Sequence, residues 1–150
     1  MISVVFSTKS DKPRFIEDVK KTSGVHKTEV IQIINDGEMS LTEAYNKGLK
    51  QTTNNIVVFC HDDIIFDTKN WGRKLLDLVD GRWWTIKESM NGIVSHKNDG
   101  KKWTNYYSKD QGKSLTDMVV LDGLFFGVDK TKIKKTFDED FHGFHFYDIS

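Results

Sequence analysis

The chain has 150 residues, enough for one domain with a genuine buried core. Lysine and arginine together number 22, as do aspartate and glutamate. The charges are spread evenly along the chain, which argues against nucleic-acid binding by counterion release. Hydrophobic residues at 37% and aromatics at 12% exclude intrinsic disorder. The longest apolar run, Ile56–Cys60, is far too short to span a membrane, and Met1–Ser7 lacks the architecture of a signal peptide. The one cysteine, Cys60, cannot make an internal disulfide, so a reducing cytoplasm is the expected compartment.

In chain order, Ile2–Phe6 is a β-branched apolar run that predicts a buried strand. Asp11 is placed to cap a helix with Pro13 in its first turn and with Phe15, Ile16 and Val19 on its buried face. Glu29–Ile34 reads as a second strand. Ser40 and Glu43 form a capping box, followed by Leu41, Ala44, Tyr45, Gly48 and Leu49 along one helical face. Ile56–Cys60 is a third strand, and Trp71, Leu75, Leu78 and Val79 mark a third helix. Three βα units in succession predict a parallel sheet.

The second half is less regular. Between Gly81 and Tyr107 only Gly92–Ser95 resembles a strand. Met118–Leu121 and Leu124–Val128 read as strands, and a short basic helix is expected from Asp129 to Lys135. With one proline and no Gly/Ser-rich linker, no internal domain boundary is visible. The fold class is α/β, a mostly parallel sheet flanked by helices.

Ligands of open α/β sheets bind beyond the carboxyl ends of the strands. There the sequence places Ser7-Thr8-Lys9, Asn35-Asp36-Gly37-Glu38 and His61-Asp62-Asp63. Two adjacent carboxylates leaving an apolar strand need water, cations or a metal, and hard oxygen ligands suit Mg²⁺ or Mn²⁺ beside phosphate. The plainer reading is that Asp62 and Asp63 end the strand in a turn. Neither a P-loop nor a dinucleotide fingerprint is present, and there is no GxSxG elbow. Cys60, inside an apolar run, reads as a buried core thiol.

The segments SVVFST, VIQIINDGEMSLTEAYNKGL, NNIVVFCHDDIIFDTKNWG and VVLDGLFFGVDKTKIKKTFDEDFHGFHFYD resemble a family 2-type glycosyltransferase of the GT-A fold. More narrowly, they resemble a bacterial branch whose metal motif is written HDD. The resemblance implies inverting transfer of a sugar from a nucleotide-diphosphate donor to a glycan or other hydroxyl acceptor, in polysaccharide assembly, with Mn²⁺ or Mg²⁺ on the diphosphate. Residue by residue, it places Ser7 and Thr8 against the base and ribose, Asp36 on the base, Asp62 on the ribose and Asp63 on the metal. It places the Asp122-Gly123 turn on the acceptor side and Asp148, in Tyr147-Asp148, as the general base. Residues 1–80 would form the nucleotide-binding half and residues 81–150 the acceptor-side half. Members of the branch carry about twenty more residues before Gly81-Arg82-Trp83-Trp84, a length at which loops are usually functional, and continue beyond Ser150. Either the protein is shortened or part of it lies outside this sequence, and the expectation for these 150 residues is binding of a nucleoside diphosphate with metal and slow or no sugar transfer.

Several residues carry two readings. Trp83, Trp84 and Trp103 suit either a sugar-stacking platform or the core. His142 and His145 suit metal ligation or aromatic packing. The lysines from Lys130 to Lys135 suit a solvated face better than a phosphate patch, and Asp138–Asp140 suits an exposed acidic turn. At the level of function, the alternatives are a non-catalytic domain that at most binds nucleotide, and a metal-dependent phosphoesterase built on Asp62, Asp63 and a histidine.

Overall fold

A computed structural model describes residues 1–78, 84–85, 93–98, 101–106, 124–133 and 135–140. Its elements are β1 (Ile2–Thr8), α1 (Pro13–Thr22), β2 (Glu29–Ile34), α2 (Leu41–Gln51), β3 (Ile56–Cys60), α3 (Trp71–Leu78), β4 (Trp84–Thr85), β5 (Ile93–Asn98), β6 (Lys101–Tyr106) and β7 (Phe125–Asp129). The fold is α/β, with a Rossmann-like core. Strand order is β2-β1-β3-β7-β4, and β5 and β6 form a separate two-stranded sheet. β1 pairs in parallel with both β2 and β3, as three successive βα units require. β7 runs antiparallel to β3, and the short β4 antiparallel to β7.

The period-2 alternation of the central strands sorts the core into two layers. Ile2, Val4, Phe6, Val58 and Cys60 point to one face, where α1 supplies Val19 and α3 supplies Trp71 and Leu75. Val5, Val57, Phe59, Phe126 and Val128 point to the other, under Leu41, Tyr45 and Leu49 of α2. Burying each such side chain contributes about 1.5–3 kcal/mol, so the α/β/α sandwich needs no covalent staple.

α2 begins as its sequence indicates. Ser40 Oγ accepts from Glu43 N–H at 3.2 Å, and Glu43 Oε2 accepts from Ser40 N–H at 2.6 Å. Its Gly48 is required by close approach, because a Cβ there would collide with the Val5 side chain. Gly48→Ala is therefore expected to cost about 1–3 kcal/mol through overpacking, read as a lower urea midpoint at unchanged slope.

At the opposite end of the parallel strands, Glu29 accepts from Ser3 Oγ, from Thr53 N–H (2.9 Å) and from Thr53 Oγ1 (2.9 Å). Burial pushes its carboxyl up, but these bonds and the nearby Lys130 ammonium outweigh that and hold it below its ordinary value of 4.5. The unfolded chain thus binds the proton more readily than the folded one. The stabilisation is complete above about pH 4.5 and is lost as pH falls through the lowered folded value. Glu29→Gln should flatten that acid limb in urea melts taken from pH 6 down to pH 3.

Three expectations are corrected. Asp11 does not cap α1: the N-cap position is Lys12, with no side-chain cap, and the Asp11 carboxylate instead accepts from Gln32 Nε2 at 3.0 Å. Pro13, with its preset φ, opens the helix. No helix forms at Asp129–Lys135 among the described residues: Asp129 ends β7, and its Oδ1 accepts from Thr131 N–H (2.9 Å) and Thr131 Oγ1 (2.6 Å). Such side-chain bonds compete with helical ones, and Lys130 Nζ is held by the Thr52 carbonyl at 2.7 Å. Finally, β6 lies in a stretch read as irregular. Asn98 pairs with Lys101, so only Asp99-Gly100 lies between the strands, a dipeptide that favours tight hairpins. The expected strand at Met118–Leu121 lies outside the described residues.

Candidate functional site

β1 stands between β2 and β3, so the connection from β1 to β2 runs to one side and the connection from β2 to β3 crosses back past β1 to the other. A crevice opens at such a switch point in open α/β sheets. Thr8, the last residue of β1, is 5% exposed, and its hydroxyl lies 2.6 Å from Asp62 Oδ2, just past β3. Lys12 Nζ lies 3.2 Å from the same oxygen. Burial pushes the Asp62 carboxyl up, yet the Thr8 hydroxyl and the Lys12 ammonium prevail and hold it below the ordinary carboxylate range. Asp62 is anionic at neutral pH.

The segment carrying Asp62 is fastened on both sides. His61 N–H donates to the Leu124 carbonyl at 3.1 Å, extending the β3–β7 ladder past Cys60. Farther along, Phe66 stacks on Trp71 with centroids 4.3 Å apart and meets Phe125 edge-on at 5.6 Å. The loop after β2 is built by Asn35. Its N–H donates to the Thr8 carbonyl (2.8 Å), its Oδ1 accepts from Gly37 and Met39 N–H (3.2 and 3.1 Å), and its Nδ2 donates to the Met39 carbonyl (2.8 Å). Gly37, at φ 96°, supplies the left-handed turn that this wrap needs.

Together these segments enclose a cleft of about 700 Å³ lined by Ser7, Thr8, Lys12, Asn35, Ser40 and Asp62, with Lys9, Ser10 and Glu43 among the others. Its lining carries hydroxyls, the Asn35 amide, Lys9, and Lys12 paired with Asp62, which suits a polar ligand rich in hydroxyls. A second cavity of about 760 Å³, at Leu49, Lys130 and Lys135, lies by the other end of the β3–β7 ladder.

Of the residues singled out from sequence, Ser7, Thr8 and Asp62 line this cleft. Asp36 is exposed on the loop between the lining residues Asn35 and Gly37. Asp63 is exposed beside Asp62, with neither an ion pair nor a hydrogen bond among the described residues. Trp84 lies in β4. Trp83, Asp122, Gly123, His142, His145 and Asp148 lie outside the described residues. Cys60 is fully buried, which pushes its thiol up, with Asp62 adding to the effect. Asp138–Asp140 is an exposed turn, though Glu139 accepts from Asn46 Nδ2 at 2.7 Å.

Sequence reasoning missed Lys12, and it placed Asn35 beyond the second strand without seeing that its side chain builds the loop there. The signal for Lys12 was its place at a helix start, where a lysine opposes the helix dipole unless an anion stands near. Among the described residues no three His, Cys, Asp or Glu side chains converge as a metal cage, and no helix is long and apolar enough to cross a membrane.

Residues 10–80 match the family model of a glycosyltransferase-like family. The matched stretch runs from the β1–α1 loop through α3 and carries Lys12, Asn35 and the His61-Asp62-Asp63 segment. It supports a glycosyltransferase-type domain and, in general terms, glycosyl transfer between a sugar donor and an acceptor. No curated protein matches the chain.

Proposed function

We propose that the chain is a nucleotide-sugar glycosyltransferase whose donor occupies the cleft at the ends of β1, β2 and β3. The observation that carries this reading is the Thr8–Asp62–Lys12 cluster at the switch point, of which Lys12 and Asp62 lie inside the stretch that matches the family. In this reading Ser7 and Thr8 lie against the nucleoside, Asp36 accepts from the base, and Asp62 accepts from the ribose hydroxyls. Residues 1–80 form the donor half and residues 81–150 the acceptor half. Asp122, Gly123, Trp83 and Trp84 belong to the acceptor side.

The donor set near the cleft fits a divalent cation. Asp63 offers an exposed carboxylate, and Mg²⁺ or Mn²⁺ commonly takes one or two protein carboxylates and completes its shell with phosphate oxygens and water. When bound, such an ion stabilises negative charge on a departing diphosphate. The chain's own part is to hold the nucleoside in the cleft and to present a carboxylate, Asp148, to the acceptor hydroxyl. Removal of that proton as the oxygen attacks the anomeric carbon from the side opposite the diphosphate inverts the centre.

The test is a calorimetric titration with UDP, CDP, GDP and dTDP, with and without Mn²⁺, followed by a donor-hydrolysis assay. Metal-dependent binding of one diphosphate supports the reading. Metal binding without any nucleotide binding would favour a phosphoesterase, and nucleotide binding with neither hydrolysis nor transfer would favour a non-catalytic domain.

A further inference from the structure

Lys12 is anchored twice before its side chain reaches the cleft. Its backbone N–H donates to Gln32 Oε1 at 3.0 Å, and Gln32 Nε2 donates to Asp11 at 3.0 Å, which ties the β1–α1 loop to β2. From that fixed backbone the ammonium reaches Asp62, beyond the end of β3. One side-chain chain of contacts, Gln32–Lys12–Asp62, thus links the carboxyl ends of β2 and β3 across β1.

The ammonium and the Thr8 hydroxyl both meet Oδ2 of Asp62. A carboxylate has about four acceptor sites, so acceptor capacity remains for a ligand in the cleft that Thr8, Lys12 and Asp62 all line. With side chains 38% and 28% exposed, this ion pair adds little to stability. Its consequence is geometric. Two donors on one oxygen remove the freedom of the carboxylate to rotate, and a site that holds its groups in the productive orientation binds more tightly than one that must order them.

We propose that Lys12 is a positioning residue for Asp62, clamping Oδ2 together with Thr8 so that the rest of the carboxylate meets the hydroxyls of the ligand's nucleoside. The inference rests on the nucleotide-sugar reading above. The competing role for a lysine in such a cleft is direct contact with the diphosphate. The observed geometry favours positioning, because the ammonium is already drawn to Asp62, and a phosphate would have to share it with that carboxylate.

The two roles separate by ligand. The full chain, Lys12→Met, Lys12→Gln, Asp62→Asn and the double variant Lys12→Met/Asp62→Asn are titrated by NMR with uridine, cytidine and guanosine. The same proteins are titrated with the three corresponding diphosphates at fixed Mn²⁺. Positioning predicts that each Lys12 variant weakens the best-bound nucleoside and its diphosphate by the same factor, about tenfold, and that the double variant is no weaker than Asp62→Asn alone. A loss confined to the diphosphate overturns the proposal, as does full additivity of the two substitutions or unchanged affinity in both Lys12 variants. If the parent chain binds none of these six ligands, nor thymidine or dTDP, the nucleotide-sugar reading itself fails and this inference falls with it. Thermal melts matching the parent, expected for a half-exposed side chain, show that each variant is folded.

Discussion

Asp63→Asn is expected to weaken binding of a nucleoside diphosphate by about 10–150-fold at fixed Mn²⁺, the range for losing a charged contact worth about 1.5–3 kcal/mol. The bare nucleoside should bind the variant and the parent alike, since Asp63 is exposed and outside the cleft lining while Ser7, Thr8 and Asp62 remain in place. Removing the metal should invert the comparison. Without a cation, the Asp63 carboxylate repels the diphosphate, so the variant should then bind at least as tightly as the parent. This reversal separates a metal ligand from a residue that merely shapes the loop. A variant weaker than the parent by the same factor with and without Mn²⁺ would show that Asp63 acts on the fold of the HDD segment and not through a cation.

The parts of the molecule legible in the sequence are those set by contacts between near neighbours in the chain. β1, β3 and the Ser40 capping box follow from a β-branched run or a fixed spacing, and the structure has each of them. Local signals failed where a side chain found a better partner than the regular element offered. Asp129 bonds Thr131 and ends the strand's regular course where the sequence predicts a short basic helix. Asp11 turns to Gln32 on β2 and leaves the N-cap position to Lys12. The cleft divides along the same line. That Ser7, Thr8 and Asp62 gather at one end of the sheet follows from counting parallel strands. That Lys12 pairs with Asp62 does not, because the two are brought together only by the order β2-β1-β3.

Asp148→Asn should lower the rate of transfer by about 10²–10⁴, the usual worth of a positioned general base, while leaving the affinity for donor diphosphate unchanged. The substitution keeps the size of the side chain and removes only its capacity to take a proton, so a fall in kcat without a change in donor binding isolates that step. Placement must be accurate as well as chemically apt, since a displacement of about 1 Å can cost about a hundredfold. The structure shows how the chain leading toward this residue is registered. Phe137 packs edge-on against Phe59 with centroids 4.9 Å apart and lies 5.5 Å from Tyr45, while its N–H and carbonyl both bond the Asn46 side chain, at 3.1 and 2.9 Å. Asn46 is 3% exposed, and it also holds Glu139, so α2 fixes residues 137 and 139 from the core side. The same helix opens at Ser40 on the wall of the donor cleft. One helix therefore reaches both the cleft wall and residues 137 and 139, which precede the proposed base in the chain. If Asp148 is the base, Asp148→Gly should regain part of its turnover when formate is added, because a small carboxylate can occupy the vacated position. Transfer by Asp148→Asn at the parent rate would remove Asp148 from the mechanism and return the choice of base to the cleft carboxylates.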